Sequence, residues 1–247
     1  MFEEHAPHIF VQFDLDGVTV NSEVLKRPTY VQAVRELFGA DCTVWDFADL
    51  LGLSRDETIA KLEKRFSSLE LLETAPKFPE RMTSIGERLL THRLTLDSRV
   101  PMTSRPGVLG VLSALDELQV PRGIATSAHI NQAIHSLTSV GAFDRFNDVV
   151  GVGTSFRERV VKKQKPSPEV YNISAMRMNA TGLRIAIEDS LPGIQAAAAS
   201  SIDDGPPPKT IYWHDPLVAP ISREAQQIAT LTTSSAEEIV EFIGQHC

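Results

Sequence analysis

Short apolar runs recur along the chain at Ile9 to Phe13, Arg122 to Thr126, Asn147 to Val150, Arg184 to Ile187 and Thr210 to Trp213. Each is of strand length, and helical segments separate most of them. Runs that stay apolar on consecutive positions suit strands buried on both faces, so the alternation predicts a parallel sheet covered by helices. The rhythm breaks between about Ser22 and about Asp97, where only helical patterns appear. There Val24, Val31, Val34 and Phe38 recur at helical spacing. Ser54 is placed to cap RDETIAKLEKRF with Glu57 at the capping-box position, and Pro79 is placed to open ERMTSIGERLLTHRL. Pro28 requires the first of these helices either to begin near it or to kink there. The pattern thus predicts an α/β protein, a doubly wound parallel sheet interrupted by an inserted helical subdomain.

Composition narrows the function classes without changing this picture. Of 247 residues, 42% are hydrophobic and 23% charged, the balance of a soluble globular protein rather than a disordered one. Lys and Arg number 24 against 32 Asp and Glu, a net charge of −8, and no long basic run offers a footprint for nucleic acid. No apolar run approaches the roughly 18 residues of a membrane span, and MFEEHAPHIF is not a secretory leader, so the expectation is a soluble cytoplasmic protein, a monomer or a dimer. Cys42 and Cys247 stand far apart and suggest neither a disulfide framework nor a zinc knuckle. HExxH and GxSxG are absent, and GVGTSF at Gly151 to Phe156 lacks the third glycine of a dinucleotide loop.

In doubly wound sheets, ligands lie beyond the carboxyl ends of the strands, so the residues just past each run carry the chemistry. Asp14 and Asp16 come after the first, and Thr126-Ser127-Ala128 close the second. Lys165 precedes Pro166 and a helix beginning near Pro168, and Glu188-Asp189-Ser190 come after the fourth. Carboxylates gathered on one rim repel one another and call for a cation between them; oxygen donors select a hard ion such as Mg²⁺. Gly17 opens a loop in which both aspartates can turn to one ligand. An aspartate can also act as a nucleophile, a second one handling the proton. Taken singly, each feature has a plainer use. An Asp pair suits a turn, a strand-end threonine bonds to backbone, a lysine such as Lys162 or Lys163 is solvated, and Glu188-Asp189-Ser190 suits the N-terminus of the helix LPGIQAAAAS.

DLDGVTVNSE, IATS, KPSP and IEDSLPGIQAA, in that order and with a helical insertion after the first, resemble the four motifs of the haloacid dehalogenase (HAD) superfamily, in particular its phosphatase and phosphosugar-mutase branch. The resemblance implies a Rossmann-like core over residues 1–21 and 99–247 and a helical-bundle cap over 22–98. It implies Asp14 as nucleophile, Asp16 as general acid and base, and Thr126 and Lys165 as holders of the phosphoryl group. It also implies a Mg²⁺ site of Asp14, the main-chain carbonyl of Asp16, Asp189 and Glu188. Dehalogenating members lack the second aspartate, which is present here, so dehalogenation is not expected.

The cap stretch from Leu51 to Glu57 resembles that of the β-phosphoglucomutase group, where an arginine at the place of Arg55 meets an anion on the far end of the substrate; Arg55 equally suits a surface ion pair with Asp56 or Glu63. Lys26 stands where those mutases carry a histidine that restrains hydrolysis, which favours water as the acceptor. Arg55, Ser127 and Lys26 are therefore the candidate substrate-binding residues. The expected activity is Mg²⁺-dependent hydrolysis of a small phosphomonoester, a sugar or sugar-acid phosphate, with a mutase as the alternative and a non-catalytic phosphate-binding member as the third.

Overall fold

The computed structural model describes residues 9–50, 53, 55–97, 99–202 and 205–247. The chain divides into two compact units, one of residues 1–21, 102–216 and 221–247, the other of residues 22–101 and 217–220. In chain order, β1 (Ile9–Phe13) is followed by α1 (Ser22–Phe38), α2 (Arg55–Phe66) and α3 (Ile85–Asp97). Then come α4 (Val108–Glu117), β2 (Arg122–His129), α5 (Ile130–Ser139) and β3 (Asp148–Val152). A small hairpin of β4 (Ser155–Phe156) and β5 (Arg159–Val160) precedes α6 (Glu169–Arg177), β6 (Leu183–Glu188) and α7 (Leu191–Ala198). The chain ends on β7 (Lys209–Trp213), α8 (Arg223–Ile228), β8 (Leu231–Thr233) and α9 (Ala236–Gly244).

Among the described residues the first unit holds a six-stranded sheet in the order β3-β2-β1-β6-β7-β8, with every neighbour parallel. Parallel neighbours need crossover helices, and these cover both faces. On one face Val11, Phe13 and Ile187 pack with Val111 and Leu112 of α4 and Ile239 of α9. On the other, Ala125, Val150 and Ala186 pack with Tyr171 of α6 and Ala196 and Ala197 of α7. All five residues of β1 are buried, as expected of a strand with protein on both faces. Gly110, inside α4, has open space where a side chain would project, so Gly110→Ala is expected to stabilise the fold by about 0.5–1 kcal/mol, read as a higher Tm in thermal unfolding.

The second unit is helical and has its own core of Tyr30, Val34, Leu37, Phe47, Leu62 and Leu89. Helix α1 starts at Ser22 and runs through Pro28, so of the two readings of that proline the later start is excluded. One residue on, the Thr29 hydroxyl donates back to the Lys26 carbonyl at 2.8 Å. Val34 and Phe38 are buried as the spacing predicted, whereas Val24 faces outward. Helix α2 covers the predicted span, with Ser54, Leu51 and Gly52 outside the described residues. Helix α3 begins at Ile85 rather than at Pro79. Its start is set by Ser84, whose Oγ accepts the Glu87 amide at 3.2 Å, and by the Glu63 carboxylate of α2, which accepts the Gly86 amide at 2.7 Å. Proline at a first turn is permitted, but these caps decide where the turn forms.

Strands β4, β5 and β8 were not foreseen. GVGTSF leads out of β3 through Gly153, at φ +90°, into β4. Of the Pro-rich tract at 203–208, Asp203 and Asp204 lie outside the described residues.

Candidate active site

Strand register brings the motifs together. Phe13 of β1 lies opposite Ile124 of β2 on one side and Ile187 of β6 on the other, so Asp14, the next residue, emerges between Ala125 and Glu188. Strand order reverses between β1 and β6, the place where doubly wound sheets open a crevice for ligands.

The loop after β1 is held by its own backbone. The Thr19 hydroxyl donates to the Asp14 carbonyl at 2.8 Å, and the Gly17 amide donates to the Val20 carbonyl at 2.8 Å. Arg105 locks the loop from outside. It is buried, its Nη1 donates to the carbonyls of Gly17 and Trp213, its amide donates to the Thr19 carbonyl at 3.1 Å, and its guanidinium lies 4.1 Å from the Trp213 ring centroid. Sequence reasoning missed Arg105. Its signal was a lone charge directly before Pro106-Gly107 and the apolar segment that becomes α4.

Lys165 is the electrostatic centre. Its ammonium, 5% exposed, donates to Asp14 Oδ1 at 2.6 Å and to Glu188 Oε1 at 2.5 Å, and it lies 5.0 Å from the Tyr171 ring centroid. Burial alone would pull the ammonium down, but the Asp14 and Glu188 carboxylates outweigh it and raise its pKa above the usual lysine value. Burial pushes the Asp14 carboxyl up to about 7; Lys165 opposes the rise, and the Glu188 and Asp16 charges add to it. Tyr171, also missed from the sequence, donates its hydroxyl to Glu188 Oε1. Burial first, and Glu188 next, raise this phenol well above its ordinary pKa, so it stays a donor.

Lys165 owes its place to the end of β2. That strand runs on to His129, three residues past the expected end, through an irregular register between Ala125 and His129, so Thr126 and Ser127 lie inside it. Ser127 Oγ accepts the Lys165 amide at 3.0 Å, and its carbonyl accepts Gln164 Nε2 at 3.1 Å. The Ser127 side chain, expected at the substrate, thus tethers the lysine loop. Thr126 Oγ1 accepts the Ala128 amide at 3.1 Å, the backbone bond that a strand-end hydroxyl suits, which leaves its own proton to donate.

Asp14, Glu188 and Asp189 each offer a carboxylate oxygen, all within 4.8 Å of one another. Asp16 is half-buried and not part of this group. Two features of the chain fit the trio to a cation. The three buried carboxyl groups lie close together with Lys165 bonded to two of them, and Glu188 Oε2 is buried without a hydrogen-bond partner among the described residues. Both outer acids also rest in glycine cradles. A Cβ at Gly17, whose φ is +77°, would lie 1.8 Å from Asp189 Oδ2, and one at Gly193 would lie 1.9 Å from Glu188 Oε2. All-oxygen donors of this kind suit Mg²⁺. Ser190 meanwhile caps α7, its Oγ accepting the Gly193 amide at 3.3 Å, so the acids and the cap divide the segment between them.

Lys26 and Arg55 belong to the helical unit. Lys26 pairs with Glu23 at 2.5 Å, and Arg55 is exposed, its Nη2 3.8 Å from the Glu87 carboxylate rather than paired with Asp56 or Glu63. Among the described residues no helix is long and apolar enough to cross a membrane.

Comparison with known proteins agrees with this arrangement. The sequence profile of the family described as haloacid dehalogenase-like hydrolase matches residues 11–204. A phosphorylated carbohydrates phosphatase of Thermotoga maritima is 26% identical over 194 residues, 78% of this chain and 82% of the relative. Among solved structures, a HAD family hydrolase of Deinococcus radiodurans with bound phosphate and sodium is similar at a TM-score of 0.71 and 20% identity, covering 98% of this chain and 97% of that one. A β-phosphoglucomutase of Clostridium difficile is similar at a TM-score of 0.63 and 21% identity, covering 97% and 96%.

Proposed function

The chain belongs to the haloacid dehalogenase-like hydrolases and is a phosphomonoester hydrolase, and on that premise we propose that it is a Mg²⁺-dependent phosphatase of small phosphorylated sugars or sugar acids, acting through an aspartyl-phosphate on Asp14. The observation that carries the mechanism is the Lys165 ammonium shared by Asp14 and Glu188 within the three-carboxylate cluster.

Asp14, Glu188, Asp189 and the main-chain carbonyl of Asp16 would hold Mg²⁺. When bound, the ion neutralises charge on the phosphoryl oxygens and on Asp14. Asp14 attacks phosphorus, and the departing alkoxide takes a proton from Asp16. Water then attacks phosphorus and gives a proton to Asp16, the bond from phosphorus to the Asp14 oxygen breaks, and inorganic phosphate leaves, which restores both aspartates. Lys165 has two of its protons on carboxylates and one left for a phosphoryl oxygen, and the Thr126 hydroxyl donates to another. Phosphoryl transfer depends chiefly on positioning and charge neutralisation, and these groups supply both.

The relative named for phosphorylated carbohydrates supports the substrate class. Arg55 is the candidate for the distal anion of the substrate, since its pairing at 3.8 Å is loose and surface-exposed. Lys26 is the second candidate of that unit, already neutralised by Glu23.

Phosphate release from sugar phosphates, sugar-acid phosphates and nucleotides, with and without Mg²⁺, tests the reading. Mg²⁺-dependent release on the sugar class is expected, and Arg55→Ala is expected to raise KM on the best substrate about tenfold, the loss of about 1.4 kcal/mol of binding, with kcat little changed. No release, together with isomerisation of a hexose 1-phosphate, would replace the phosphatase by a mutase.

A further inference from the structure

Glu188 has one busy oxygen and one idle one. Oε1 accepts from both Lys165 Nζ and the Tyr171 hydroxyl, whereas Oε2, equally buried, accepts from no described residue. Lys165 alone does not create this asymmetry, because an ammonium attracts both oxygens of a carboxylate and leaves it free to turn. A second donor on the same oxygen fixes the turn. Tyr171 is built to be that donor. It stands on α6 with its ring in the cluster of Ala125, Ala186, Ala196 and Ala197, small side chains that leave room for it. It is tied at both ends, since its carbonyl accepts Gln12 Nε2 of β1 at 2.9 Å and its hydroxyl reaches Glu188 of β6. Its ring also lies beneath the Lys165 ammonium.

We propose that Tyr171 is a positioning residue for the metal site: it commits Glu188 Oε1 to the protein and so presents Oε2 to the cation, which phenylalanine of the same shape would not do. The proposal rests on the reading of Asp14, Glu188 and Asp189 as Mg²⁺ ligands. Partners that orient a metal-binding carboxylate contribute about 10- to 100-fold to metal affinity.

The test is Mg²⁺ binding to the full-length protein, stripped of metal, by isothermal titration calorimetry without substrate. Tyr171→Phe is expected to raise the Kd for Mg²⁺ about tenfold. The Mg²⁺ concentration giving half-maximal phosphate release should rise in parallel, with most of kcat recovered at saturating Mg²⁺. In a Glu188→Ala background the same substitution should change the Kd no further, because its route to the metal is gone. A purely packing role would lower Tm and leave the Kd in place, so a folded Tyr171→Phe protein within twofold of the parent Kd overturns the proposal. Should that variant not fold, Tyr171→Met, apolar and of similar reach, is judged by the same Kd. A parent protein that binds no divalent ion overturns the metal reading itself, and the proposal with it; a parent that binds beside an equally binding variant overturns the proposal alone.

Discussion

Asp14→Asn is expected to remove phosphate release by a factor on the order of 10⁴ or more, the scale on which loss of a nucleophile acts. Asparagine has nearly the same volume, and Lys165 keeps Glu188 as a counter-ion at 2.5 Å, so the buried ammonium is not orphaned. Burial raises the Asp14 carboxyl to about 7, so the native charge is costly and its removal takes no stabilisation from the core. Circular dichroism and melting temperature should therefore stay close to the parent while turnover vanishes. Activity within tenfold of the parent, at saturating Mg²⁺ on the best substrate, would end the role assigned to Asp14.

The second large effect is expected at a residue with no functional group. Gly193→Ala places a methyl 1.9 Å from Glu188 Oε2 and 2.1 Å from its carboxyl carbon, distances no Cβ tolerates. The carboxylate must leave, and moving it strains the bonds from Lys165 and Tyr171. A weakening of Mg²⁺ affinity of about 100-fold is expected, with activity falling alongside at fixed Mg²⁺. Alanine is otherwise the better residue inside a helix, so propensity and site chemistry oppose each other. Calorimetric Mg²⁺ titration separates them: an unchanged Kd would mean that the cradle yields.

Much of this was legible in the sequence because register does the assembling. Once β1, β2 and β6 are parallel neighbours, residues at their ends must meet, and Asp14, Thr126, Glu188 and Asp189 were found from their places at the ends of apolar runs, Lys165 from its place before Pro-Ser-Pro. Residues that meet the site from within other elements were not. Tyr171 sits in a helix whose apolar spacing hides its hydroxyl, and Arg105 precedes a helix in the guise of a surface charge. Ser127 was seen but given the substrate, because nothing local shows that its hydroxyl faces a loop 38 positions away. Strand β8, three residues long, carries too few positions for alternation to register, and the start of α3 was set by a glutamate from another helix rather than by the proline nearby.

The bond from Lys165 to Asp14 spans 151 positions of sequence, and the Glu188 contact adds a further 23. No fragment that ends before β6 can hold the site, since its three carboxylates come together only when that strand has docked beside the first. Folding must therefore close long loops before these charges are compensated, which places the completion of the site late and binds its integrity to that of the whole sheet. A chain stalled in synthesis short of Lys165 carries Asp14 without the ammonium that bonds it in the finished fold.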